Sequence, residues 1–290
     1  MTDAPALTPN LLRGWPLPAR DGAKDDRGGV LVVGGARRTP GAAALAGLTA
    51  LRIGAGRLTL AVAGSVATAL AVATPESGVL ALPEDADGSP TGELPPHLAD
   101  ELGRADAVVV GPGLDEPEGS ARLVRGVLSA LGDADDAPAV LLDAFALGVL
   151  PGMADDVRLP PGRVVLTPNL AEAARLLDGD DPAPEEAAAR VAARWGAVVT
   201  CAGRVAHPDG RVWASATGYA GLGTSGSGDV LAGAVAGLLA GGCPPEQAAC
   251  WGTAVHGAAG DRLAARVGPL GYLARELADE VPAVLVELRP

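Results

Sequence analysis

One carboxylate in this sequence stands at a boundary where it could do chemistry. The run GLGTSGSGDVLAGAVAGLLAGG, residues 221–242, opens on glycine, serine and threonine, meets Asp229, and continues as an apolar, alanine-rich segment to a Gly-Gly stop. Gly221, Gly223, Gly226 and Gly228 permit positive φ, so successive backbone N–H groups can converge on one point. The apolar segment predicts a helix starting near Asp229, whose unpaired N–H groups and positive dipole end add to that point. The chemistry this suits is phosphate binding over Thr224, Ser225, Gly226, Ser227 and Gly228. Asp229 would then sit beside the phosphate, able to take a proton from a substrate hydroxyl. The dipole alone also favours Asp in a first helical turn; the glycine run ahead of it tips the reading towards a site.

Other candidates are weaker. VLVVGGARRTPG carries glycines at 34, 35 and 41, which do not fit the GxGxxG dinucleotide fingerprint. Thr39-Pro40 reads instead as an N-cap followed by Pro at the first helical position. GPGLD, from Gly111 to Asp115, follows an apolar run directly and is equally explained as a plain turn. His97, His207 and His256 show no metal-ligand spacing, and His256 falls in a helical stretch. Cys201, Cys243 and Cys250 form no CxxC pair, which suits a reducing, cytoplasmic setting. A metal site made by protein groups alone is not expected; Mg²⁺ would arrive with nucleotide phosphates.

The elements that must position these residues are legible as short apolar runs. GVLVVGG, RLTLAVA, DAVVVGPG, AVLLDA, RVVLTPN and AVVTCAG are mostly continuous in Val, Leu and Ala, the pattern of parallel strands buried on both faces. Alanine-rich helical stretches alternate with them, which predicts an α/β fold with a mostly parallel sheet and helices on both sides. RVAHPDGRVWA predicts an antiparallel hairpin turning at HPDG. Five of the six runs end in a polar or glycine-rich turn, and in such sheets ligands bind outside the carboxyl ends of the strands. EDADGSPTGELPP, GDADDAP and DGDDPAPEE read as solvated loops. Residues 1–22 read as an N-terminal arm and residues 23–290 as one domain. The start of the chain has no apolar run of signal-peptide length, and no membrane span is expected. With 290 residues, 48% of them hydrophobic but only 2% aromatic, Ala, Val, Leu and Gly must fill the core. The formal charge of −13 argues against nucleic acid or an anionic membrane surface as partner.

GSGDVLAG together with the strand-end turns resembles the ribokinase-like superfamily, whose signature is a Gly-rich loop ending in Gly-x-Gly-Asp at a helix start. Within it the chain is similar to the ADP/ATP-dependent (S)-NAD(P)H-hydrate dehydratase family. KDDRGGVLVVGG, PGAAALAGLTALRIGAGRLTLAV, VVVGPGL, LLDAFAL, VVLTPNLAEAARLL, LGTSGSGDVLAGAVAGLLAGG and HGAAGDRLA follow in that family's order from about Lys24 onward. The resemblance implies a three-layer ribokinase-like fold and a repair reaction on the S hydrates of NADH and NADPH (NADHX and NADPHX). A nucleotide, ADP in most bacterial standalone members and ATP in eukaryotic ones, phosphorylates the ring hydroxyl with Mg²⁺, and loss of phosphate restores the double bond. It implies Asp229 as the base and Gly228 at the nucleotide phosphates. Ala42, Gly111, Gly113 and Asn169 fall at hydrate-contacting positions, and a homo-oligomer such as a tetramer is implied as well.

Two positions depart from that pattern. Thr167-Pro168-Asn169 stands where the family usually has Thr-Pro-His; Asn hydrogen-bonds but carries no charge. TCAGRVAHPDG stands where a Lys-Gly nucleotide loop is usual, and Arg204 is the cation nearest to a substitute. The family's epimerase partner domain has no counterpart among these blocks. A small-molecule kinase of the same superfamily, acting on a vitamin precursor, would share Gly-x-Gly-Asp; KDDRGG and TPNLAEAARLL favour the dehydratase. A nucleotide-binding protein without catalysis is the third reading, and ADP binding without hydrate turnover would distinguish it.

Overall fold

A computed structural model of the chain describes residues 4–19, 22–132, 137–218 and 220–289. Nine strands form one sheet: β1 (Gly29–Val33), β2 (Arg57–Ala63), β3 (Gly78–Leu82), β4 (Ala107–Val110), β5 (Ala139–Leu142), β6 (Val164–Leu166), β7 (Val198–Cys201), β8 (Arg204–Ala206) and β9 (Val212–Ala214). Their order is β3-β2-β1-β4-β5-β6-β7-β8-β9. The first seven pair in parallel, and β7-β8-β9 are antiparallel. The six apolar runs all lie on strands, and the hairpin is β8–β9. The seventh parallel strand, β3, has no counterpart among those runs. It is the edge strand, its residues mostly half-buried or exposed, so its GVLAL lacks the doubly buried signature of the others.

Among the described residues, eleven α-helices surround the sheet: α1 (Pro9–Arg13), α2 (Pro40–Arg52), α3 (Gly64–Ala73), α4 (Pro96–Leu102), α5 (Pro117–Leu131), α6 (Phe145–Val149), α7 (Leu170–Leu176), α8 (Pro184–Trp195), α9 (Ser227–Ala240), α10 (Pro245–Arg266) and α11 (Ala274–Leu288). Alternate strand residues feed two separate apolar layers, as a parallel sheet requires. Val30 and Val32 join Ala46, Val235, Trp251 and Val281 on one face. Leu31 and Val33 join Leu123, Leu147, Ala173 and Val191 on the other. The arm carries α1; Leu7 and Leu12 are buried, and Trp15 lies 6.0 Å from Trp213 of β9, centre to centre.

Small residues set the spacing of the layer that holds Asp229. A Cβ on Gly233 would fall 2.1 Å from the Ala46 carbonyl oxygen, and one on Gly237 would fall 2.6 Å from that of Ala50. The α9 backbone therefore rests directly on α2. This is close helix-on-helix packing, and no helix among the described residues is long and apolar enough to cross a membrane.

Two local expectations change. Thr39 is the N-cap of α2, with Pro40 following, but its hydroxyl makes no cap bond. It donates instead to the Gly113 carbonyl at 2.8 Å. The segment EDADGSPTGELPP is not wholly solvated: Gly88, Ser89 and Pro90 are buried, and Arg37 holds Glu84 at 2.8 Å. Of GDADDAP, residues 133–136 lie outside the described residues.

Candidate active site

The glycine run makes its turn at Gly226, with φ 89°, and α9 begins at Ser227, two residues before the expected start. Gly228 is therefore helical, and a Cβ there would meet nothing within 4 Å. The positive φ needed for the turn belongs to Gly226 alone within 224–229. The Ser227 N–H donates to the Thr224 carbonyl at 3.2 Å. Those of Ser225, Gly226, Gly228 and Asp229 have no acceptor among the described residues. A helix start with this many open donors can receive an anion. Asp229 is the third residue of α9, half-buried on the same turn, and burial pushes its carboxyl up to about 6 from 3.8.

The α2–α9 register points from Ala42 towards this turn. Ala50 opposes Gly237 and Ala46 opposes Gly233; one further step of four residues along both helices would pair Ala42 with Asp229. Gly111 and Gly113 lie where the strand order reverses, between β1 and β4, the crevice in which open α/β sheets receive ligands. Their φ values are 127° and 75°. A Cβ on Gly111 would stand 1.8 Å from the Asp143 carbonyl oxygen, and one on Gly113 2.3 Å from that of Thr39. Close backbone approach at this joint fixes both glycines before any ligand is considered.

Asp143, at the end of β5, is a site residue that the sequence reading passed over. It is buried, and its Oδ1 accepts from the Thr167 hydroxyl at 2.6 Å. Burial pushes its carboxyl up to about 7, against the pull of Thr167 and with the charges of Asp229 and Glu172 adding to the rise. Glu172 is raised in turn, again by burial first. Asn169 caps α7: its Oδ1 accepts from the Glu172 N–H, and the Glu172 carboxylate accepts from the Asn169 N–H, each at 2.9 Å. This reciprocal box engages Asn169's oxygen and leaves its amide N–H₂ group without a protein partner among the described residues.

A cavity of about 510 Å³ opens between these strand ends and α9, lined by Asn169, Thr200, Ser215, Ser227, Gly228 and His256 among others. Arg204 opens β8 and pairs with Cys201 and Ala214; its neighbour Gly203 lines the cavity and Arg204 does not. His256 is buried on α10, its Nε2 2.9 Å from the Ser227 hydroxyl. A larger concavity of about 970 Å³, lined by Arg158, Arg163, Arg194 and Trp195, lies elsewhere. It sits by the start of β6 and the end of α8, at the opposite edge of the sheet. Arg194 is already paired with Asp178 at 2.7 Å, and Arg163 donates to the Gly132 carbonyl.

Open helix-start donors, a carboxylate on the same turn and a crevice at the sheet's carboxyl edge define a phosphate-handling α/β class. The chain belongs to the NAD(P)H-hydrate dehydratase family, whose model matches residues 30–283. It is 44% identical to an ADP-dependent (S)-NAD(P)H-hydrate dehydratase of Xanthomonas campestris over 97% of this chain and 96% of that protein. It is 39% identical to a bifunctional NAD(P)H-hydrate repair enzyme of Moorella thermoacetica, over 94% of this chain and 52% of that one. The chain thus spans about half the length of such bifunctional relatives. Among solved structures, the Bacillus subtilis ADP/ATP-dependent NAD(P)H-hydrate dehydratase co-crystallised with ATP and Mg²⁺ superposes with a TM-score of 0.80. That match is 27% identical and covers 99% of this chain and 100% of the other. A ribokinase-like protein of Enterococcus faecalis, 23% identical with a TM-score of 0.83 over the whole chain, shows the same fold.

Proposed function

We propose that this chain is an ADP-dependent dehydratase acting on the S hydrates of NADH and NADPH. The observation that carries the reading is the first turn of α9, where open N–H donors and the Asp229 carboxylate occupy one turn. The donors would hold the nucleotide's terminal phosphate. Asp229, ionised above about pH 6, would take the proton of the ring hydroxyl as its oxygen attacks phosphorus and the nucleotide departs. The carbon–oxygen bond then breaks, phosphate leaves with the bonding electrons, and loss of a proton from the neighbouring carbon restores the double bond. Ala42 and the Gly111–Gly113 turn would face the hydrate across the crevice.

The cavity beside Ser227 and Gly228 would take the nucleotide, with the Asn169 amide free to donate to it or to the hydrate. Asp143, Asp229 and Glu172 are hard oxygen donors and fit Mg²⁺. No group of three such residues among those described stands close enough to hold a metal unaided, so phosphate oxygens would complete its shell. The ion would neutralise charge on the transferring phosphate. Three buried cysteines outside any disulfide favour a cytoplasmic setting, and the family resemblance favours a homo-oligomer. The test is recovery of NADH absorbance from the purified S hydrate. Recovery should need both ADP and Mg²⁺ and stop on chelation. Turnover of a hydroxymethyl vitamin precursor with no action on the hydrate would favour the kinase reading.

A further inference from the structure

The phosphate-binding turn lacks an ordinary helix cap. Its N-cap is Gly226, which has no side chain to offer. Among the described residues, the Ser227–His256 hydrogen bond of 2.9 Å is the one side-chain bond made to residues 224–229. The partner helix, α10, also fixes the facing wall of the cavity. A Cβ on Gly257 would lie 2.4 Å from the Thr217 hydroxyl, and Asp261 accepts from the Gly218 N–H at 3.0 Å. One turn earlier, Thr253 joins Thr200 of β7 at 2.7 Å. A single helix face thus touches three segments around the cavity.

Ser227 and Asp229 are two residues apart, so they project about 200° apart around α9. Holding Ser227 towards α10 therefore sets the roll of the turn that aims Asp229 and the open N–H groups. A Ser–His pair beside oxyanion donors is also the layout of an activated nucleophile. Two facts decide against that here. The Ser227 residue is 4% exposed, and burial pushes the His256 imidazole down to about 4, far too weak a base to activate a hydroxyl near neutrality.

We propose that His256 is a positioning residue for the nucleotide, acting through Ser227 on the phosphate-binding turn. This inference rests on the nucleotide reading above. One buried hydrogen bond contributes about 0.5–1.5 kcal/mol, so its loss should weaken ADP binding by roughly tenfold at most. The Gln amide reaches the place of Nε2, whereas the shorter Asn amide reaches only that of Nδ1, so His256→Gln should restore what His256→Asn loses.

The experiment is calorimetric titration of ADP with Mg²⁺ into the intact protein and the two variants, followed by steady-state kinetics on the hydrate. The expected result is near-native ADP affinity for His256→Gln and a several-fold loss for His256→Asn. KM for ADP should rise more than kcat falls, and KM for the hydrate should not move. Ser227→Ala should add no further loss in the His256→Asn background. Equal ADP affinity in both His256 variants, or additive losses in the double variant, overturns the proposal while the nucleotide reading stands. Failure of the unaltered protein to bind ADP overturns both.

Discussion

The two edges of the sheet differ in ways that a search by size or charge would rank backwards. The amino edge holds the larger concavity, about 970 Å³ with three arginines. The carboxyl edge holds about 510 Å³ and is flanked by carboxylates, in a protein of net charge −13 whose proposed ligands are polyanions. Yet the arginines at the first edge are partly spent on Asp178 and the Gly132 carbonyl. At the second edge the donors are fixed backbone N–H groups with no protein partner among the described residues. Their orientation is paid for by the fold, and each helix-end contribution is worth about 0.3–1 kcal/mol, or up to about 2 when partly buried. On the proposed reading, anion binding at this edge would depend on preorganised local donors and on Mg²⁺, and not on the net field.

Gly228→Val should give the largest change that separates the edges. There is open space for its side chain within the protein, but that space is the cavity itself. ADP affinity should fall by well over an order of magnitude while the melting temperature stays near native. Gly226→Val should by contrast melt earlier, because its φ is 89° and its Cβ would meet Leu45 at 2.7 Å. If Gly228→Val binds ADP normally, the cavity assignment is wrong.

A second, smaller effect is on stability. Asp143 is raised in the fold from 3.8 to about 7, so its contribution is most favourable at low pH and is lost as pH rises through about 7. At about 1.4 kcal/mol per pH unit, the ionised form costs the fold up to roughly 4 kcal/mol. Asp143→Asn keeps an acceptor for Thr167 and should melt at a higher temperature than the native protein at pH 8, with the gap closing towards pH 4. It should also lose hydrate turnover. Thermal scans at the two pH values check the sign, and a variant less stable at pH 8 would contradict it. The smallest effect is expected at the amino edge: Arg158→Ala, which removes a cation with no hydrogen bond or ion pair among the described residues, should leave ADP affinity and turnover unchanged.

The strands and the position of Asp229 were legible because each is a local pattern. Buried Val and Leu runs declare parallel strands, and four glycines ahead of one acid declare a turn into a helix start. β3 was missed because an edge strand is not buried on both faces. Asp143 was missed because its meaning comes from Thr167, 24 residues away, and from charges on other elements. His256 acquires its role from Ser227, 29 residues before it, and nothing in HGAAGD alone points there. Gly226 and Gly228 are the same residue in the same run, and only the fold says which one turns the chain and which one leaves room. Arg204 is singled out by charge type alone; the backbone places it in a strand pair next to Gly203, which lines the cavity.

The central claim is that Asp229 acts on the substrate hydroxyl while its backbone neighbours hold phosphate. Asp229→Asn separates the two, because it keeps the N–H donors and removes the base. Hydrate turnover and ADP–Mg²⁺ affinity should be measured on the same preparation. The account predicts turnover lower by about 10²- to 10⁴-fold with ADP affinity within a few-fold of native. Native turnover by Asp229→Asn, in a folded protein that still binds ADP, would contradict it.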